Sequence, residues 1–261
     1  VTHRPRRSSK RSHADEYGRQ FAGIYDALFP RAQITSREIA WLASHPSARP
    51  PVRVLELGVG TGRVAIPLAT ELAARGDVCF DGMDISRDML RELRRADARG
   101  LVRPLLADMT ETLPAHAYDL ILCLCGTISQ VTDSTSQQRT FSNAASRLAV
   151  GGHLIVETHN AALVGAMHSA PETTLAVPYP DGRRALVSFS RLEGSAWQLE
   201  HCWIESGTAT FLSERSRLTS LTELDDYARA AGLDPVGHWA GLSGQALAAH
   251  SPMVTGVYRK R

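Results

Sequence analysis

The sequence predicts an α/β fold: a mostly parallel, doubly wound sheet of seven strands. Three observations predict it. From Val52 onward, short apolar strands alternate with amphipathic helices. A glycine-rich turn joins the first of these strands to its helix. Residues 173–218 then break the rhythm, alternating polar and apolar side chains as half-buried antiparallel strands do. Parallel strands need crossover connections, usually helices, so strand–helix alternation implies a sheet covered on both faces.

Each element follows from local pattern. His13 to Pro30 carries Tyr17, Phe21, Ile24, Tyr25 and Leu28 on one helical face, which predicts an N-terminal helix. A second helix runs from Ser36 to Ser44, closed by Pro46, Pro50 and Pro51. Strands are predicted at Val52–Leu57, Val78–Asp84, Val102–Leu106, Asp119–Cys125 and His153–His159. Helices are predicted near Val64–Arg75, Ser86–Arg99 and Ser136–Leu148. Asp181-Gly182, Glu193-Gly194 and Ser206-Gly207 punctuate the antiparallel run as hairpin turns, giving an inserted β cap over 161–218. Ser220 and Glu223 form a capping box ahead of a late helix that Gly232 closes. Val236–Trp239 and Met253–Tyr258 complete the sheet.

Bulk properties exclude several classes. The 261 residues suffice for one α/β domain with an insertion. No apolar run approaches the ~18 residues of a membrane span, and residues 1–12 lack a signal-peptide core, so no membrane partner is expected. Cys79, Cys123, Cys125 and Cys202 form no disulfide pattern, which points to a reducing cytoplasm. The net charge of +2 conceals an asymmetry. Arg4, Arg6, Arg7, Lys10 and Arg11 are all basic, and without them 24 basic residues face 27 acidic ones. The body is therefore slightly acidic and residues 1–14 read as a disordered basic tail, which argues against a nucleic-acid partner.

The segment from Val54 to Ala69 carries the chemistry. Glu56 is followed by Gly58, Gly60 and Gly62, and an amphipathic helix begins behind them. Glycines let the chain turn sharply and a ligand approach closely. The dinucleotide frame G-x-G-x-x-G fails, because its third position is Arg63. A carboxylate two residues before the first glycine is ill suited to a diphosphate and well suited to an ammonium or sulfonium. That difference points to a methionine-derived cofactor. Asp84 ends the second strand, where it can accept ribose hydroxyls, and Asp108 ends the third, where it can accept an adenine amino group. Ile85 and Met109 supply apolar contact to the purine. These acids lie at C-terminal strand ends, the edge at which open α/β sheets bind ligands.

On those residues the chain resembles the class I, Rossmann-like S-adenosylmethionine-dependent methyltransferases over roughly residues 15–260. The resemblance implies S-adenosylmethionine as cofactor, S-adenosylhomocysteine as product and no metal. It implies that Gly58, Gly60 and Gly62 line the methionine moiety, Asp84 the ribose and Asp108 the adenine. Residues 148–157 resemble the family's turn into its fifth strand, and 218–233 a late helix typical of small-molecule members. The implied sheet has seven strands, the last antiparallel, with the N-terminal helix as a lid over the cofactor, and the Rossmann-like domain then spans 15–160 and 219–261.

The acceptor is read from absences and positions. Members that methylate nucleobase or glutamine amide nitrogens carry an Asp/Asn-Pro-Pro-Tyr/Phe tip after the fourth strand, and here the tip is Cys125-Gly-Thr-Ile. Metal-dependent catechol-type members need an acid at that tip. Cys123 and Cys125, expected on one side of their strand, make a poor zinc site and read as packing, with Cys125 also lining the pocket. Tyr17 and Tyr25 resemble the lid tyrosines of antibiotic-pathway amine N-methyltransferases, which place an aromatic where Cys125 sits. Tyr17, Tyr25 and His159 are therefore the candidate catalytic residues, with His201 and Trp203 as candidate cap residues of the acceptor site. The expectation is methyl transfer to nitrogen, less readily oxygen, of a small-molecule acceptor. Sheet edges in the cap suggest a homo-oligomer. The rival readings are an RNA or protein methyltransferase and a cofactor-binding protein without transfer activity.

Overall fold

The computed structural model describes residues 13–46, 50–179 and 182–261. The chain opens with helices α1 (His13–Phe21), α2 (Tyr25–Leu28) and α3 (Ser36–Leu42). Then follow β1 (Val52–Leu57), α4 (Ala65–Ala73), β2 (Val78–Asp84), α5 (Arg87–Ala96), β3 (Val102–Leu106), β4 (Tyr118–Cys123), α6 (Ser134–Arg147) and β5 (Leu148–His159). Helix α7 (Ala161–Met167) leads into β6 (Glu172–Pro178), β7 (Arg184–Glu193), β8 (Ala196–Glu205) and β9 (Thr208–Arg217). Helix α8 (Leu221–Ala230), β10 (Leu233–Ala240), β11 (Gln245–Ala246) and β12 (Met253–Lys260) complete the chain.

The main sheet has the order β11-β10-β12-β5-β4-β1-β2-β3. Strands β1 to β5 are mutually parallel, and β12 inserts antiparallel between β5 and β10. These are the seven predicted strands, with the reversal that the family resemblance implies. The two-residue β11 adds an edge pairing that the sequence pattern did not announce. The order reverses between β1 and β4, which opens a crevice at their C-terminal ends.

Alternating side chains of each central strand feed two cores. Val54, Leu120 and Leu122 pack with Leu42, Leu68 and Leu93 on the α3–α4–α5 side. Leu55, Leu57, Ile121 and Cys123 pack with Phe141, Ala144, Leu224 and Ala228 on the α6–α8 side. The capping boxes at Thr35/Glu38 and Ser220/Glu223 are both formed, so α3 and α8 begin where their side chains satisfy free backbone N–H groups.

The sheet β6-β7-β8-β9 is the predicted antiparallel meander. Its inner face splits between two neighbours. Trp203 and Leu212 pack on Phe21, Ala22 and Leu28 of the lid, while Trp197 and Leu199 pack on Val164 of α7. Helix α7 was not anticipated, although Asn160 caps it by accepting from the Leu163 N–H. The single lid helix expected over His13–Pro30 is broken at residues 22–24, where the Ile24 N–H turns back to the Phe21 carbonyl. Among the described residues, no helix is long and apolar enough to cross a membrane. The expected basic tail lies outside the described residues except His13 and Ala14, which begin α1.

Candidate active site

A cavity of about 420 Å³ opens at the reversal point of the sheet, within the size range of small-ligand sites. Its floor includes Gly58, Gly60, Met83, Asp84 and Ile85 from the ends of β1 and β2, and Asp108 and Met109 beyond β3. Tyr17, Gly18 and Tyr25 of the lid close it, with Cys125, Thr127 and Gln130 beyond β4. Nine of the predicted site residues thus share one wall: Gly58, Gly60, Asp84, Ile85, Asp108, Met109, Cys125, Tyr17 and Tyr25.

The glycine turn has a different task at each position. Gly58 and Gly60 have φ of +70° and +55°, the left-handed region that favours glycine. A Cβ on Gly60 would meet no protein atom within 4 Å. The space beside that backbone is therefore open to a ligand. A Cβ on Gly62 would lie 2.4 Å from Leu93 Cδ1, so this glycine lets the turn pack on α5 and is not on the cavity wall.

Asp84 organises the turn. Its Oδ2 accepts from the Gly60 N–H at 2.9 Å and its Oδ1 from the Ser86 N–H at 2.8 Å. Burial nonetheless pushes its carboxyl up to about 6. Asp108 Oδ1 accepts from both the N–H and the hydroxyl of Thr110, which holds the carboxylate at the cavity edge. Glu56 lies just outside the wall, 3% exposed, and its Oε2 has no protein partner. Burial pushes its carboxyl up to about 8, against the pull of the nearby Arg63. An orphaned, reluctantly charged carboxylate beneath a glycine turn fits a cationic ligand group. The residues present therefore fit the methionine end of S-adenosylmethionine.

Beyond β4 the chain turns through Cys125 at φ +56°, which ends the strand's alternation. Cys123 faces the α6–α8 core while Cys125 packs toward the opposite one, so the two thiols do not share a face. Burial pushes the Cys125 thiol up to about 12, and it stays neutral. Its sulfur accepts from Arg63 Nη2 at 2.8 Å, and its N–H donates to Glu157 Oε2 at 2.9 Å. Arg63, which the sequence showed only as a breach of the dinucleotide frame, thus supports the cavity from below. Arg31 and Asp26 were also missed. Arg31 Nη2 reaches Asp26 and the Thr61 carbonyl, and the Thr61 hydroxyl donates to Asp26, tying the lid to the glycine turn.

Burial raises the phenols of Tyr17 and Tyr25 well above their ordinary range, so neither is an ionised base. His159 does not reach the cavity wall. Its ring stands edge-on to Trp197 with centroids 4.9 Å apart, behind Gly126, and burial lowers its affinity for a proton. His201 and Trp203 are likewise off the wall, buried between cap and lid. None of residues 161–218 is among the described lining residues. Nor do three His, Cys, Asp or Glu side chains converge as a metal site among the described residues.

Comparison with known proteins bears on the domain and the fold. A family model described as a methyltransferase domain matches residues 54–152, the stretch from β1 into β5. The structure is similar to that of the CcbJ methyltransferase from Streptomyces caelestis, with 29% identity, a TM-score of 0.82 and coverage of 95% of this chain and 98% of that one. It also resembles CalS10, an amino pentose methyltransferase from Micromonospora echinaspora solved with S-adenosylmethionine, at 21% identity and TM-score 0.67, covering 91% and 97%. A methyltransferase-like protein of Geobacillus sp. (strain WCH70) is 26% identical over 110 residues, which span 41% of this chain and 42% of that relative. The fold and its reversed seventh strand are those of class I, Rossmann-like S-adenosylmethionine-dependent methyltransferases, and over residues 54–152 this chain carries a methyltransferase domain.

Proposed function

We propose that this chain transfers a methyl group from S-adenosylmethionine to a nitrogen, less favourably an oxygen, of a small metabolite in secondary metabolism. One observation carries the reading: the open Gly60 backbone, Asp84 and Asp108 line a single cavity that the lid tyrosines close. In this reading Asp84 holds the ribose, Asp108 with Ile85 and Met109 the adenine, and Gly58, Gly60, Cys125 and the charge of Glu56 the methionine end. S-adenosylmethionine supplies an electrophilic methyl on a good leaving group. The protein's part is then alignment and exclusion of water. Tyr17 and Tyr25, held neutral, position the acceptor rather than deprotonate it, and His159 is given no catalytic part. The lining residues include Asp84, Asp108 and Asp133 and no Lys, Arg or His among those described, which favours a neutral or cationic acceptor over a polyanion. The free cysteines accord with the cytoplasm, and the unpaired edge of β6 with assembly into a homo-oligomer.

Asp84→Ala tests the cofactor assignment. Losing charge-assisted hydrogen bonds should weaken S-adenosylhomocysteine binding by roughly 2–4 kcal/mol in calorimetric titration. Unchanged affinity would refute the ribose role. A panel of amine and phenol metabolites, read by S-adenosylhomocysteine production, tests the transfer. Turnover of phenols without amines would move the acceptor to oxygen.

A further inference from the structure

The cap touches the cavity through one buried polar chain. Gln130 ends the short turn Thr127–Gln130 and lines the cavity. Its Nε2 donates to Glu214 Oε1 of β9 at 2.9 Å. The Ser216 hydroxyl donates to the same oxygen at 2.6 Å, and Glu214 Oε2 lies 3.7 Å from His201 Nε2. His201 Nδ1 in turn sits 2.7 Å from the Ser188 hydroxyl. The Glu214 side chain is 12% exposed. Burial opposes its charge, yet bonding to His201 and Ser216 holds its carboxyl below the ordinary range.

A carboxylate accepts and cannot donate, so Glu214 fixes which end of the Gln130 amide faces it. The NH₂ group is committed to the cap, and the carbonyl oxygen is what Gln130 can offer the cavity. Tyr17 stands in the same wall, and the Glu214 charge helps to keep its phenol neutral. This corner of the cavity therefore presents a carbonyl acceptor backed by a buried negative charge.

We propose that Gln130, oriented by Glu214, recognises the methyl acceptor, and that the acceptor is an amine whose N–H donates to the Gln130 carbonyl. The inference rests on the reading of this cavity as the S-adenosylmethionine site. Glu214 is a positioning residue in this scheme, since it acts through Gln130.

The test uses two nucleoside probes on the full chain, S-adenosylhomocysteine and sinefungin. Sinefungin carries an amine where the transferable methyl would be, so it presents N–H groups toward the acceptor side. Replacing Gln130 by Met (Gln130→Met) should lower sinefungin affinity about tenfold and leave S-adenosylhomocysteine within about twofold, as expected for one lost charge-assisted hydrogen bond. Glu214→Gln should shift the ratio of the two affinities in the same direction, because an amide no longer dictates the Gln130 orientation. The S-adenosylhomocysteine titration reports in each variant whether the site is folded. An unchanged ratio in either variant, or equal loss of both ligands, would overturn the proposal. A wild-type chain that binds neither probe would instead overturn the cofactor reading, and this inference with it.

Discussion

At the scale of single residues, the carboxylates were legible and their supports were not. Asp84 could be read because it ends an apolar strand and Asp108 because it lies just beyond one, and a strand's end is a local feature. Arg63 acts on Cys125, 62 positions away, a partner that nothing local marks. Gln130 gains meaning only from Glu214, 84 positions further on. Glu56 gives the sharpest prediction. Its carboxyl is ordinary in the unfolded chain, near 4.5, and burial raises it to about 8 in the fold. Between these values the unfolded chain has released a proton that the fold retains, so the contribution of Glu56 is complete below pH ~4.5 and is lost as pH rises through about 8. Glu56→Gln mimics the protonated form. Relative to wild type, the ligand-free variant should gain stability from pH 5 to pH 8.5, on the order of 4 kcal/mol. It should also lose S-adenosylmethionine affinity, most clearly at the alkaline end. Thermal melts and titrations across that range decide it, and parallel pH profiles for the two proteins would remove Glu56 from the site.

Elements were read best where turn signals bound a strand closely. Val52–Leu57, Val78–Asp84 and Val102–Leu106 match the structure at both ends, because a short apolar run between turn signals allows little else. Elements at the rim were read less well. The lid helix breaks because Phe21 and Leu28 must both reach the cap core while Tyr17 and Tyr25 reach the cavity, a demand set by partners and not by periodicity. Its seat on the body is also tertiary. A Cβ on Gly18 would stand 2.3 Å from the Ser86 Cβ, so only glycine lets α1 rest against the buried cap residue of α5. Gly18→Ala should raise intrinsic helix propensity by up to about 1 kcal/mol and still weaken S-adenosylhomocysteine binding several-fold, because α1 is pushed off the cavity. Calorimetry beside a thermal melt separates the two effects. Unimpaired binding would show that the lid need not sit against Ser86.

At the scale of the molecule, three bodies meet around one cavity. The sheet supplies its floor, the lid its cover, and the cap holds the lid through Phe21, Trp203 and Leu212. A ligand that touches floor and cover should couple them. S-adenosylhomocysteine at a hundred times its Kd should stabilise the fold by about 2.7 kcal/mol, roughly 5–10 °C in Tm for a chain of this size. It should also slow tryptic cleavage at Arg19 in α1. A melting shift without protection at Arg19 would mean that the ligand is held by the sheet alone.

The family resemblance implied the reversed last strand, and the sequence by itself determined the parallel core, the inserted meander and the acids at strand ends. Those depend on periodicity, turn chemistry and strand ends, all of which act within a few residues. The tertiary structure alone decided that Gly62 packs on α5, that His159, His201 and Trp203 stay off the wall, and that Cys125 rests on Arg63. It also decided that the cap reaches the cavity through Gln130. Cavity walls and hydrogen-bond partners join side chains from distant positions, and such partnership leaves no periodic trace along the chain.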